Sequence, residues 1–227
     1  MTDVRKALEA EREMEREFVA EARKSEIAPK GWPAALVMFH ICMWREHLNN
    51  ALTDVKEGRA QTPPPDNVDE TNDAELAGGL GVALTDIAQR ADVLLTSLIT
   101  LYEELGERPF QWYNSTTTTE AVLRTSYMHP RNHFVDYLNQ NGDAAGALRL
   151  REDAVSHLRA FAAPSTVLGA ALYYFACQRV VQDQTDEALE LLVETFSLRP
   201  DLKEVATKDP ELEALHDNAA FKALTKA

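Results

Sequence analysis

The chain has 227 residues, of which 45% are hydrophobic and 26% charged, the composition of an ordinary folded protein of one large domain or one and a half. Lys and Arg total 23 against 37 Asp and Glu, and the resulting net charge of −14 excludes non-specific nucleic-acid binding and disfavours attraction to an anionic membrane surface. Two cysteines in no CxxC pattern, Cys42 and Cys177, need no disulfide framework and suit a reducing cytoplasm. The N-terminal segment is charged and helix-forming without an apolar h-region, so no signal peptide is expected. The longest mostly apolar stretch, Val167 to Cys177, falls far short of the ~20 residues that cross a bilayer. The composition therefore predicts a cytoplasmic protein with no nucleic-acid or membrane partner.

Between Gly and Pro clusters the apolar spacing is helical, which predicts an all-α protein. A first helix is expected from Asp3 to Lys24, with Val4, Leu8, Met14, Phe18 and Val19 as its stripe. It should stop near Ala28-Pro29-Lys30-Gly31. A second should open at Trp32-Pro33, with Pro in the first helical position, and run to Glu57 before Gly58. Gln61 to Gly81 reads as a long polar connection containing Pro63, Pro64 and Pro65. A third helix is expected from Val82 to Leu105. The connection from Gly106 to Thr119 holds an aromatic cluster, Phe110, Trp112 and Tyr113. Thr117 and Glu120 form a capping-box pattern opening a fourth helix, which reaches Asn141-Gly142 with Pro130 in its middle. Residues 1–141 thus predict a four-helix bundle with one long crossover.

Residues 142–227 predict shorter helices at Asp143 to Phe161, Thr166 to Gln182, Thr185 to Leu198 and Pro210 to Leu224. Two segments, NGDAAGALRLREDAVSHL and QDQTDEALELLVETFSL, align at an offset of about forty residues, the kind of period that marks helical arrays. The second unit resembles a tetratricopeptide repeat through Leu172, Phe175, Ala176, Ala188, Leu192 and Pro200, while Arg179 and Thr195 depart from its pattern. One and a half such units imply a cap or a docking appendage for a protein partner.

Among six histidines, His129 and His133 are spaced i, i+4, which on a helix sets both imidazoles on one face. Two nitrogens so placed can share one divalent ion at about 2.0–2.1 Å each. A third ligand has to come from another helix, and His40, mid-helix in an apolar surround, is the candidate; its alternative is a core histidine satisfied by a hydrogen bond. Pro130 lacks a backbone donor and should push His129 away from helical angles. His47 is expected to face solvent or stand behind a ligand, and His157 and His216 to lie on the surface. Cys42, two residues from His40, points about 200° away around the helix and is not read as a ligand.

The segments GWPAALVMFHICMWREHL, PPDNVDETN and TSYMHPRNHFVDYL resemble the DinB-like (YfiT-like) four-helix bundle superfamily, in particular the branch that includes the colibactin self-protection protein. The resemblance covers residues 1–141. It implies a divalent ion, Zn or Ni, held by His40, His129 and His133, and a role as a metal-dependent thiol transferase or hydrolase that uses a low-molecular-weight thiol cosubstrate on a small electrophile. It also implies pairing into homodimers.

Around that set, Asp136 could orient an imidazole, and Trp44, Trp112, Tyr127 and Tyr137 could line a pocket, with core packing as the alternative for each aromatic. Arg45 and Glu46 default to exposed charge. Three readings stand at this point: a metal-dependent enzyme, a metal-free binding or protection protein for a reactive metabolite, and an interaction module acting through residues 142–227.

Overall fold

The helical spacing of the apolar residues governs the fold. The structure is a computed structural model that describes residues 2–24 and 29–226, and it is all-α apart from one short hairpin. The chain divides into two units, residues 1–147 and 148–227.

In the first unit, α1 (Val4–Lys24), α2 (Ala34–Lys56) and α4 (Leu84–Leu105) pack as a bundle, with α4 against both α1 and α2. The expected break at Ala28–Gly31 lies partly outside the described residues. Helix α1 buries Val4, Leu8 and Phe18, and it also buries Glu11 and Glu15 in the same stripe. Pro33 stands just before α2 rather than inside its first turn.

The polar connection after α2 is not structureless. It contains α3 (Val68–Glu75) and a 3-10 turn, Leu76–Gly79. Asn67 caps α3 by accepting from the backbone N–H of Asp69 and Glu70. Gly79 sits so close to α2 that a Cβ there would lie 2.5 Å from the Phe39 ring. Only a glycine allows that approach.

The aromatic connection after α4 is also ordered. It forms an antiparallel hairpin of β1 (Pro109–Trp112) and β2 (Ser115–Thr117). Tyr113 turns the chain in the left-handed region at φ 49, and its hydroxyl donates to the Pro65 carbonyl at 3.0 Å. Gln61 donates to the Gln111 carbonyl at 2.7 Å, so the crossover and the hairpin hold each other.

The fourth helical segment comprises α5 (Thr118–Leu123), a π turn (Arg124–Met128) and α6 (His129–Gln140) in unbroken succession. Thr117 caps it, accepting from the Glu120 N–H at 3.2 Å. The Glu120 carboxylate takes the Thr116 N–H at 2.7 Å, one residue before the cap. Helices α5 and α6 pack against α1 and α2 respectively.

The second unit is built from α7 (Ala144–Ala160), most of which belongs to it, α8 (Ser165–Val181), α9 (Thr185–Leu198), α10 (Leu202–Ala206) and α11 (Ala219–Thr225). Helices α8 and α9 pair closely, with Ala176, Ala188 and Leu192 fully buried. A Cβ on Gly169 would lie 2.6 Å from Cγ of Arg199, so the end of α9 passes directly over α8. The single helix expected at Pro210 to Leu224 is instead a 3-10 turn, Pro210–Leu215, followed by α11 behind its own cap, Asn218. Among the described residues, no helix is long and apolar enough to cross a membrane.

Candidate metal centre

Pro130 has no N–H, so it cannot pair with the Ser126 carbonyl one turn back. The chain resolves this with the π turn, in which the His129 N–H reaches five residues back to the Arg124 carbonyl. The Ser126 carbonyl accepts instead from Nη2 of Arg45 at 3.2 Å. His129 consequently keeps helical angles, φ −59 and ψ −48, which corrects the expectation that Pro130 would displace it. His129 and His133 remain one turn apart on the same face.

His40 is buried in the middle of α2 and meets them from across the bundle. Nε2 of His129 lies 3.1 Å from Nε2 of His40 and 2.9 Å from Nε2 of His133. Each imidazole Nε2 has one in-plane site, a proton or a lone pair. The His129 nitrogen can therefore make a good hydrogen bond to only one of its two neighbours, and the other contact is left without a proton. Charged imidazoles do not relieve this. Burial holds His40 down to about 3, assisted by His133. His129 lies well below the ordinary histidine range, through burial and then its two histidine neighbours. Burial also lowers His133, against the upward pull of Asp136.

Three neutral imidazoles with converging lone pairs are the form in which histidine binds metal. Two nitrogens each ~2.0–2.1 Å from one ion lie about 2.9–3.4 Å apart for angles from right to tetrahedral. The observed separations of 3.1 and 2.9 Å fall in that interval, and all three ligand atoms lie within 4.8 Å of one another. The residues present fit a metal ion. Nδ1 of His40 has no hydrogen-bond partner among the described residues, so no outer group fixes its ring. Aromatic packing does that work: the Trp32 ring lies edge-on to His40 at 5.4 Å and stacked with His133 at 6.2 Å.

The three histidines open onto a cavity of about 430 Å³, in the range of small-molecule sites. Its walls include Trp32, Trp44, Trp112, Tyr113, Asn72 and Arg124. Trp44 and Trp112, both named from the sequence, stand in it, and the indole N–H of Trp44 donates to Oδ1 of Asn72 at 3.1 Å. Tyr127 does not. It is fully buried beneath the Arg131 guanidinium, 4.4 Å from its ring, and belongs to the core. Asp136 is exposed and acts on His133 through its charge. Tyr137 packs edge-on to Phe18 at 5.0 Å and, with Asp136, borders a second cavity on the other side of Trp32 and His133.

Trp32, Tyr113, Asn72 and Arg124 were not foreseen as wall residues. Arg124 precedes His129 by five residues, which on a regular α-helix is about 140° away. The π turn brings it to the histidines' side of the helix. Asn72 arrives on the unforeseen α3, and Tyr113 on the unforeseen hairpin.

The remaining candidates are accounted for. His47 pairs with Glu75 at 3.0 Å. His157 stacks on Phe161, and His216 is half-buried against the Ala206 carbonyl at 3.2 Å rather than lying on the surface. Arg45 is fully buried, contrary to the default, and pairs with Glu15; Glu46 pairs with Arg90. Cys42 is buried, and burial pushes its thiol up to about 12. In the second unit Cys177, Asp209 and Glu211 also bring ligand atoms within 4.8 Å. There burial pushes the thiol up, while Asp209 accepts from the Tyr173 hydroxyl at 2.7 Å and caps the turn through the Glu211 N–H at 2.9 Å. That cluster is a structural joint.

Comparison with protein-family models, with curated proteins and with solved structures returned no match.

Proposed function

We propose that the first unit is a DinB-like bundle in which His40, His129 and His133 hold a divalent ion, Zn or Ni, and that the protein is a metal-dependent thiol transferase or hydrolase acting on a small electrophilic metabolite. The observation that carries this reading is the convergence of three neutral Nε2 atoms that cannot all share protons, at the mouth of an apolar cavity. A closed structural site takes four protein ligands, whereas three leave a position for water, thiol or substrate. When bound, the ion would supply Lewis acidity and lower the pKa of a water or thiol toward neutrality.

The chain's own residues do the rest. The indoles of Trp32, Trp44 and Trp112 keep water from the cavity and hold the apolar part of a substrate. Asn72, whose oxygen is taken by Trp44, offers its amide N–H groups. The second unit, in this reading, is a tetratricopeptide-like appendage that docks a protein partner.

Elemental analysis of protein purified without a metal-affinity column tests the proposal. The wild type should carry about one Zn or Ni per chain, and His129→Ala/His133→Ala should carry none. A wild type that stays metal-free after incubation with Zn or Ni would remove the enzyme reading and leave the cavity as a metal-free binding site.

A further inference from the structure

The rings around this cavity form a connected row. Centroid to centroid, Trp32 lies 5.4 Å from His40, His40 6.3 Å from Trp44, Trp44 6.2 Å from Tyr113, and Tyr113 5.8 Å from Trp112. Successive planes are inclined by 62°, 72°, 66° and 76°, so each ring meets the next edge-on. Every member lines the cavity, and the row takes in all 3 tryptophans of the chain. They arrive from the approach to α2, from α2 itself and from the hairpin, so the packing of no single element builds the row. Two members are also left in the open. Trp32 is 37% and Tyr113 38% exposed, and Val68, 43% exposed, stands in the same wall. Exposed apolar side chains gathered at one cavity mark a binding surface. Tyr113 adds an independent sign, because it turns the hairpin at φ 49, a backbone state that favours glycine or asparagine. A bulky ring held against its backbone preference, with its hydroxyl donating to the Pro65 carbonyl at 3.0 Å, is placed there for what it meets at the cavity. Charge selects no ligand class here, since Arg124 stands in the wall while the Asp66 charge acts on Tyr113.

We propose that the cavity binds a flat aromatic group of two or more fused rings, and that Tyr113 sets the preference for it. A flat ligand laid along the row stacks on one ring and takes the edge of the next, the two arrangements that favour aromatic pairs beyond burial alone. An aliphatic ligand of the same size gains burial only. As the class of the electrophilic substrate this rests on the metal reading above; as a statement about binding it rests on the row of rings.

Calorimetric titration of the full-length, chelator-treated protein with 2-naphthalenemethanol and with its saturated counterpart, decahydro-2-naphthalenemethanol, tests this. The saturated probe is the more hydrophobic of the two, so burial alone favours it. The aromatic probe should nonetheless bind about tenfold more tightly. Tyr113→Leu should cut that preference by about threefold or more through weaker binding of the aromatic probe. Tyr113→Phe, which keeps the ring and loses the hydroxyl, should retain most of it. Absent binding of the aromatic probe, equal or tighter binding of the saturated one, or a preference untouched by Tyr113→Leu would overturn the proposal. If Tyr113→Leu does not fold, Trp32→Leu takes its place with the same expectation. The metal analysis separates the two readings. A bound ion without ring preference defeats this inference and spares the metal site, while ring preference without an ion does the reverse.

Discussion

Helix α6 and the π turn before it carry two buried polar clusters on opposite faces, built by different rules. On one face, Arg131 donates to Glu11 at 2.8 Å, and Arg45 bonds Glu15 and the Ser126 carbonyl. Guanidinium donors there meet carboxyl and carbonyl acceptors, with the Tyr127 ring as a lid. On the other face, only two residues away along the chain, three imidazole nitrogens crowd together with too few protons between them, at a cavity wall. A buried polar group costs free energy unless it finds a partner. In the first cluster each guanidinium finds a counter-charge inside the protein, although Nε and Nη1 of Arg45 and Oε1 of Glu11 have no hydrogen-bond partner among the described residues. The second fits a partner that the protein does not contain. Burial of polar side chains alone is therefore no sign of function; what distinguishes the two clusters is that one pairs opposite charges and the other gathers three neutral groups of one kind.

Substitutions should separate the clusters sharply. Arg45→Leu leaves Glu15 buried without its counter-charge and should lower unfolding stability by about 3–5 kcal/mol, measured by urea denaturation. His129→Ala/His133→Ala leaves no buried charge without a counter-charge and should cost less, about 1–2 kcal/mol in metal-free protein. A double variant as damaging as Arg45→Leu would mean that the histidines are structural too.

A graded effect, spread over several units, concerns pH. Burial pushes the Glu11 carboxyl up to about 8, against the pull of Arg131. Its Oε1 has no partner among the described residues, so no hydrogen bond supports negative charge on that oxygen. The folded state then binds more protons than the unfolded one between the ordinary carboxyl range and pH 8. Stability from this group is full below about 4.5 and is lost as pH rises to about 8, at roughly 1 kcal/mol per pH unit or less. Denaturation midpoints measured across this range should fall for the wild type and flatten in Glu11→Gln. A wild-type midpoint that rises over the same range would show Glu11 to be a stably ionised partner of Arg131.

Much of this was legible in the sequence because helical periodicity is a strong signal. The four long helical segments and the α8–α9 pair follow from apolar spacing, and the three histidines follow from i, i+4 spacing plus one buried position. Even the charged cluster had a trace: Glu11 and Glu15 fall in the stripe of Val4, Leu8 and Phe18, and Arg45 falls between Ile41 and Leu48. Reading charge as exposed by default hid it. The other omissions have a common cause. Helix α3 buries no residue and rests on its Asn67 cap, and the hairpin pairs only seven residues across one turn, so neither carries a hydrophobic period. The π turn depends on Pro130 and on Arg45 taking up the Ser126 carbonyl, a contact between residues 81 positions apart. No local pattern encodes it, yet it preserves the histidine pair and brings in Arg124.

In the proposed site His40, His129 and His133 together hold one ion. Titration of the metal-free protein with Co²⁺, followed by visible absorption, tests it most directly. Saturation is expected at about one equivalent with the bands of a low-symmetry nitrogen site, with a loss of affinity of about tenfold or more in each of His40→Ala, His129→Ala and His133→Ala. Absence of stoichiometric binding, or affinity unchanged by any one of the three substitutions, would contradict it.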